Sequence, residues 1–316
     1  MRLILDPTTW PNDLRGGAVA IGNFDGVHIG HARIIDTLLA AARGVGGPAL
    51  VFTFDPHPVR LLRPDEAPPP LTWIARKAEL LGHLGVDALL AYPTDEALLG
   101  LSAEDFFRRI IVERIGARAL VEGPNFRFGR GRAGTIDDLA QMASAAGMSL
   151  RVVEPVEVDG EIVSSSRIRR LVAAGNVDAA RALRTAPDRI RGMVVHGAGR
   201  GATIGFPTAN VAAVDTLVPG MGVYAGRGWL RSGGVAPRGE SWPAAVNIGA
   251  NPTFGEQVLK IETHLVGCDR PLYGEVLELD FLARLRDTQP FASVEQLKAQ
   301  LDRDVAAAVE IASRVP

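Results

Sequence analysis

Short apolar runs alternate with helical patterns through the first 186 residues, and then the alternation stops. Residues 18–22, 49–54, 88–92, 119–122 and 150–153 read as strands buried on both faces. Helical spacing fills the intervals near 31–43, 73–83, 102–115 and 135–146. Such alternation predicts an α/β domain with a doubly wound parallel sheet, because parallel strands need crossover helices that cover both faces. Two short helices follow, 167–174 and 177–184, parted by Gly175-Asn176 as a helix C-cap. Thr185-Ala186-Pro187-Asp188 marks a boundary between two domains, residues 1–186 and 187–316. Beyond it, β-type runs near 190–196, 222–229, 243–248, 258–266 and 275–281 are separated by Gly/Pro-rich turns. That texture fits an antiparallel barrel or a sandwich. The chain ends in a helix. Ser293 and Gln296 form a capping box, and Val294, Leu297, Leu301 and Val305 an apolar stripe.

Bulk composition removes several function classes. A formal charge of -2 over 316 residues makes no global case for a nucleic-acid or anionic-membrane partner. No apolar run is long enough to span a bilayer, and residues 1–10 lack the core of a secretory signal. A single cysteine, Cys268, rules out an internal disulfide and a thiolate metal cluster, and a cytoplasmic setting is expected.

Two segments carry phosphate chemistry. The first runs Gly22-Asn23-Phe24-Asp25-Gly26-Val27-His28-Ile29-Gly30-His31, from the end of a predicted strand into a predicted helix. Ligands bind at such junctions on the carboxyl edge of a parallel sheet, and free N–H groups at the helix start favour anions. His28 and His31 at that end would hold a triphosphate and stabilise charge on a departing pyrophosphate. Ser164-Ser165-Ser166-Arg167-Ile168-Arg169 sets hydroxyls before arginines, which suits either a phosphate or an ordinary N-cap. Phe126 and Phe128 flank Arg127, so one face of that segment would pack on a flat ring or in the core.

The second segment is Gly205-Phe206-Pro207-Thr208-Ala209-Asn210, preceded by Gly197-Ala198-Gly199-Arg200-Gly201. Thr208 and Asn210 share a face of extended chain and offer oxygen donors of the kind Mg²⁺ prefers. The glycines would wrap phosphates with backbone N–H groups. No Walker A pattern accompanies them. Farther on, Glu262 and His264 share one strand face, and a carboxylate there can deprotonate a hydroxyl.

These motifs resemble the bacterial bifunctional riboflavin kinase/FAD synthetase (FMN adenylyltransferase) family. The likeness continues through Phe54-Asp55-Pro56-His57-Pro58, Gly123-Pro124-Asn125-Phe126-Arg127-Phe128-Gly129 and Gly134-Thr135. It extends over Gly222-Val223-Tyr224-Ala225, Asn247-Ile248-Gly249, Pro252-Thr253-Phe254, Ile261-Glu262-Thr263-His264-Leu265, Leu272-Tyr273-Gly274 and Arg284-Leu285-Arg286-Asp287 before Phe291. The resemblance implies a Rossmann-like nucleotidyltransferase domain followed by a β-barrel riboflavin kinase domain with a terminal helix. Riboflavin, FMN and ATP would be the substrates and Mg²⁺ the metal, with no nucleic acid or membrane partner and at most a weak homo-oligomer.

In the first domain the resemblance assigns ATP to Gly22, Asn23, Phe24, His28, His31, Ser165, Ser166 and Arg169. FMN falls to Pro56, His57, Pro58, Asn125 and Phe128. In the second it assigns ATP to Gly199, Arg200, Gly201, Gly205, Thr208 and Asn210, with the metal on Thr208 and Asn210. Arg286 and Phe291 would hold the flavin, with Glu262 as base. Thr288, Gly267-Cys268 and Glu122 depart from the family pattern. Two other readings are a nucleotidyltransferase of pantetheine or cytidylyl type, and a non-enzymatic flavin-binding second half. The kinase motifs count against the first, and Thr208, Asn210 and Glu262 together count against the second.

Overall fold

The structure, a computed structural model, describes residues 1–197, 200–230, 240–251 and 256–315. The chain forms two compact units, residues 1–68 with 74–164, and residues 69–73 with 165–316.

The first unit is built on a six-stranded parallel sheet. Its strands are β1 (Arg2–Ile4), β2 (Ala18–Ile21), β3 (Ala49–Asp55), β4 (Ala88–Pro93), β5 (Ala119–Glu122) and β6 (Ser149–Val152), in the order β1-β4-β3-β2-β5-β6. Reversal of direction about β2 makes it doubly wound and places the switch point at the end of β2. The central strands are the apolar runs of the sequence: Ala18–Ile21 is buried throughout, as are the first five residues of β3. Burial on both faces removes any need for alternation. Helices over Ile29–Val45, Ile74–His83 and Ile136–Ala145 lie where the spacing predicts them. The predicted helix near 102–115 is also present, but Phe106–Ile115 is wound as a π-helix. Features not anticipated include the three-residue β1, the short helices Pro58–Leu62 and Glu96–Leu99, and a small hairpin of β7 (Glu157–Val158) and β8 (Glu161–Ile162).

Glu122 has a structural reason to depart from an apolar pattern. It is buried at the end of β5 and its Oε1 accepts the Ile21 N–H at 2.7 Å. The β2–β5 ladder runs only through Ala18↔Ala119 and Val19↔Leu120, so the carboxyl replaces a ladder bond where the strands part. Burial pushes this carboxyl well above its usual range, and the Ile21 hydrogen bond opposes that shift.

In the second unit β9 (Asp188–Val195), β10 (Ala209–Ala212), β11 (Gly222–Leu230), β12 (Ser241–Asn251), β13 (Glu256–Leu265) and β14 (Val276–Arg286) close an antiparallel barrel. Closure selects the barrel over the sandwich. On β14, Leu277, Leu279 and Phe281 are fully buried in the core. The intervening Glu278 and Asp280 bind the Arg189 guanidinium, at 3.2 Å and 2.5 Å. Arg189 also lies 4.3 Å over the Trp229 ring.

The helix Val294–Ser313 packs against β11, β12 and β14. Ser293 caps it, accepting the Gln296 N–H at 3.3 Å. The predicted stripe needs correction at its head. Val294 is exposed, and the buried positions are Asp304, Ala308 and Ala312. An aspartate belongs there because Arg286 forks onto it, at 3.1 and 2.7 Å. Arg227 closes the other end, donating to the Val315 carbonyl at 2.5 Å.

Candidate active sites

In the first unit His28 is the N-cap of the helix Ile29–Val45. Its Nδ1 accepts the His31 backbone N–H at 3.2 Å, and the His31 Nδ1 accepts the His28 N–H at 3.3 Å. The rings stack, with centroids 3.6 Å apart and planes at 17°. This reciprocal cap does for two histidines what a Ser/Glu capping box does elsewhere. It also sets their chemistry. Each Nδ1 is spent as an acceptor, so each neutral ring carries its proton on Nε2. Burial, helped by His28 and Lys77, holds the His31 imidazole well below its ordinary pKa. His31 is therefore placed as a neutral N–H donor at the helix start, with the His28 ring stacked on it. A Cβ at Gly30 would sit 3.1 Å from the His28 ring, a tight contact that would press on the stacked pair.

The loop leading into the helix is strained. Phe24 has φ 45° and the β-branched Val27 φ 39°. Left-handed values at such residues cost energy and persist only where the surroundings over-determine them. Phe24 is buried with its ring 4.9 Å from that of His31. The Asn23 carbonyl accepts from Thr53 Oγ1 at 3.1 Å. The buried Asn23 Oδ1 has no hydrogen-bond partner among the described residues.

The remaining residues expected at this site fall in several places. His57 caps the short helix Pro58–Leu62, its Nδ1 accepting the Val59 N–H at 3.1 Å. Asn125 is exposed. Phe128 is buried against Phe106 in the core, whereas the Phe126 ring stacked on it is only partly buried. Ser165, Ser166 and Arg169 belong to the second compact unit, on the helix Ser165–Ala173, and Arg169 Nε donates to the Pro69 carbonyl at 3.0 Å. Sequence reading missed Lys77. It is buried, and Nζ donates to Thr53 Oγ1 at 3.3 Å. Burial lowers its pKa, and the charges of Asp25 and Asp55 oppose that shift.

The second unit holds a cavity of about 810 Å³. Strand register builds its polar wall. Glu262 on β13 lies opposite Asn210 on β10 and, on its other side, opposite Asn247 on β12. The three side chains form a row, and all three line the cavity. Asn247 Nδ2 stands 3.5 Å from Glu262 Oε2. Thr208 lines the same cavity two residues before Asn210. His264, next on the Glu262 face, has Nδ1 2.8 Å from the Pro207 carbonyl oxygen and so holds the Phe206–Asn210 segment.

Two glycines make room for this wall. A Cβ on Gly197 would run into the Asn210 amide, and one on Gly201 into the Phe206 carbonyl. Gly205 takes φ 91°, a left-handed turn. Gly199 lies outside the described residues, and Arg200 opens a short helix, Arg200–Thr203. Arg286 and Phe291 line the other side of the cavity, with the guanidinium 5.7 Å over the Phe291 ring and forked onto Asp304. Asn247 and Asp304 had no assigned role in the sequence. Thr288 also lines the cavity. Among the described residues no group of three or more His, Cys, Asp or Glu could hold a metal ion.

Two family models match the chain in tandem: FAD synthetase over residues 11–167 and riboflavin kinase over residues 185–312. The chain belongs to the bifunctional riboflavin kinase/FMN adenylyltransferase family. A relative of that name from Pseudomonas fluorescens is 39% identical over 300 residues, covering 95% of this chain and 94% of the relative. Its Escherichia coli K12 counterpart is 35% identical, with coverages of 92% and 90%. A crystal structure named as a macrolide-efflux protein from Streptococcus pneumoniae superposes with a TM-score of 0.84 at 30% identity, covering 97% of both chains. Among the described residues of this chain no helix is long and apolar enough to cross a membrane.

Proposed function

We propose that this chain phosphorylates riboflavin to FMN in its second unit and adenylylates FMN to FAD in its first, spending ATP in both steps. The observation that carries the reading is the presence on one chain of two separate sites, the reciprocal histidine cap and the Asn210–Glu262–Asn247 row. The catalytic border lies at residues 186/187. It falls close to the start of the kinase family match at 185, although the compact units divide at 164/165.

In the kinase site Glu262 takes the proton of the ribityl 5′-hydroxyl as that oxygen bonds to the γ-phosphorus of ATP. The bond from that phosphorus to the β–γ bridging oxygen breaks and ADP leaves. Asn247 and Asn210 flank the carboxylate and hold it in the row. Neutral oxygens on Thr208 and Asn210, beside glycines that no Cβ obstructs, fit a hard cation shared with phosphate, so these residues would hold Mg²⁺. Bound Mg²⁺ supplies charge neutralisation for the transferring phosphoryl group. Arg286 and Phe291 contact the flavin.

In the adenylyltransferase site a phosphate oxygen of FMN attacks the α-phosphorus of ATP. The bond to the α–β bridging oxygen breaks and pyrophosphate departs, with no covalent enzyme intermediate. The Nε2–H groups of His28 and His31 donate to the phosphate oxygens where charge grows. Asn23, whose buried Oδ1 is otherwise unmatched, accepts from the nucleotide. The work takes place in the cytoplasm, consistent with the lone free Cys268.

Product analysis tests this directly. Protein mixed with riboflavin and Mg²⁺-ATP should yield FMN and then FAD. FMN with no FAD, even when FMN is supplied, would remove the first-unit assignment.

A further inference from the structure

Lys77 is a buried ammonium for which the reactions above give no use. Only 5% of it is exposed, and burying a charge is costly unless its surroundings repay it. Its Nζ donates to Thr53 Oγ1 at 3.3 Å, and Thr53 is itself wholly buried. The hydroxyl in turn donates a hydrogen bond to the Asn23 carbonyl at 3.1 Å, completing a hydrogen-bonded chain from Lys77 to the residue 22–28 loop. The charged groups that face the ammonium are Asp25, from that loop, and Asp55, at the end of β3; His31 feels its charge from the helix start. Asp25 is buried as well. Lys77 thus binds the loop at Asn23 through Thr53 and attracts it electrostatically at Asp25. Between and beyond these points lie Phe24 and Val27, the two residues held at left-handed φ.

We propose that Lys77 is the positioning residue of the adenylyltransferase site: through Thr53 and Asp25 it holds the residue 22–28 loop in the conformation that aims His28, His31 and Asn23 at the nucleotide. The inference rests on the adenylyltransferase reading of the first unit. A strained loop relaxes unless several contacts fix it, and a misplacement of about 1 Å at reacting groups can cost about 10²-fold in rate.

The test uses the full chain with each half-reaction assayed separately. Lys77→Met should lower kcat/KM for FMN adenylylation by about 10–100-fold and leave riboflavin phosphorylation within about two-fold. A second readout separates positioning from general loss of stability. Removing a positive charge near His31 lets that ring protonate more readily, so the acid limb of the adenylylation profile should move toward neutral pH. Thr53→Val cuts the hydrogen-bonded chain while keeping the ammonium, and should lower kcat/KM in the same direction with no movement of the acid limb. An unchanged kcat/KM in folded Lys77→Met would overturn the inference. If that variant does not fold, an unchanged kcat/KM in Thr53→Val overturns it instead. Parent protein that never makes FAD would break the underlying reading, a separate outcome from parent protein that does so and a variant that matches it.

Discussion

The two sites are assembled by opposite routes. His28, His31 and the glycines beside them in the first lie within ten consecutive residues, on one strand–helix junction whose geometry is set by backbone hydrogen bonds. The second gathers Asn210, Asn247 and Glu262 from three strands, and only the barrel register makes them neighbours. A locally built site can be read from a short stretch of chain. A site built by register depends on every strand that sets it. The first also stores strain at Phe24 and Val27, whereas the second is held by ladders and glycine clearances.

The largest expected effects test whether the sites are independent. Glu262→Gln keeps the shape of the row but cannot take the hydroxyl proton, so riboflavin phosphorylation should fall by about 10²–10⁴-fold. The same protein given FMN should still make FAD at close to the parent rate. His28→Ala should reverse the pattern, losing about 10²–10³-fold in FAD formation with FMN formation retained. Loss of both reactions in either folded variant would show one shared site and end the comparison.

A smaller effect probes the clearance in the second site. Gly197→Ala places a methyl on the Asn210 amide, which must turn out of the row. The KM for Mg²⁺-ATP in the kinase reaction should rise by up to about 10²-fold, with adenylylation untouched. A normal KM would mean that Asn210 binds nothing in catalysis.

The smallest expected effect concerns Glu122. Its folded-state pKa is raised, so the folded chain binds more protons than the unfolded one above the ordinary carboxylate value. Its contribution to stability is present at low pH and falls away as pH rises toward the folded value. Glu122→Gln can still accept from Ile21 and has no proton to lose. The variant should match the parent near pH 4 and exceed it increasingly toward pH 8, each kcal/mol being worth about 2–4 °C in Tm. Melting curves across that range decide it, and a gap that stays constant or reverses with pH counts against a charge-based account.

Legibility in the sequence followed the same divide. The buried parallel strands were readable because apolar runs flanked by helical spacing have few alternatives, and β2 to β5 lie where the runs lie. β1 was not, since Arg2-Leu3-Ile4 is too short to carry a period. β10 was visible only as an extended stretch, its four residues giving no sign of which strands they join. The histidine pair was legible as chemistry, but its tautomer was not, because that depends on backbone N–H groups reaching each ring. Lys77 follows Arg76 in a helix, where cations are ordinarily solvated, and burial of both residues is a tertiary fact. Asn247 lacked a role for a similar reason: 15 residues separate it from Glu262, and only the strand pairing brings them together. Val294 misled in the other direction, since its apolar side chain continues a stripe that the helix begins to bury only later.

The reciprocal histidine cap has a consequence for how changes at this site combine. Each ring accepts the other residue's backbone proton, so truncating either one damages both: a donor loses its acceptor, and the surviving ring is freed to turn. The lesions overlap. Removing the second histidine then takes away a group that the first change had already disabled, and the free energies of the two substitutions should sum to more than that of the double variant. The pair behaves as one part with two side chains, and no single-site replacement can adjust one ring while leaving its neighbour as it was.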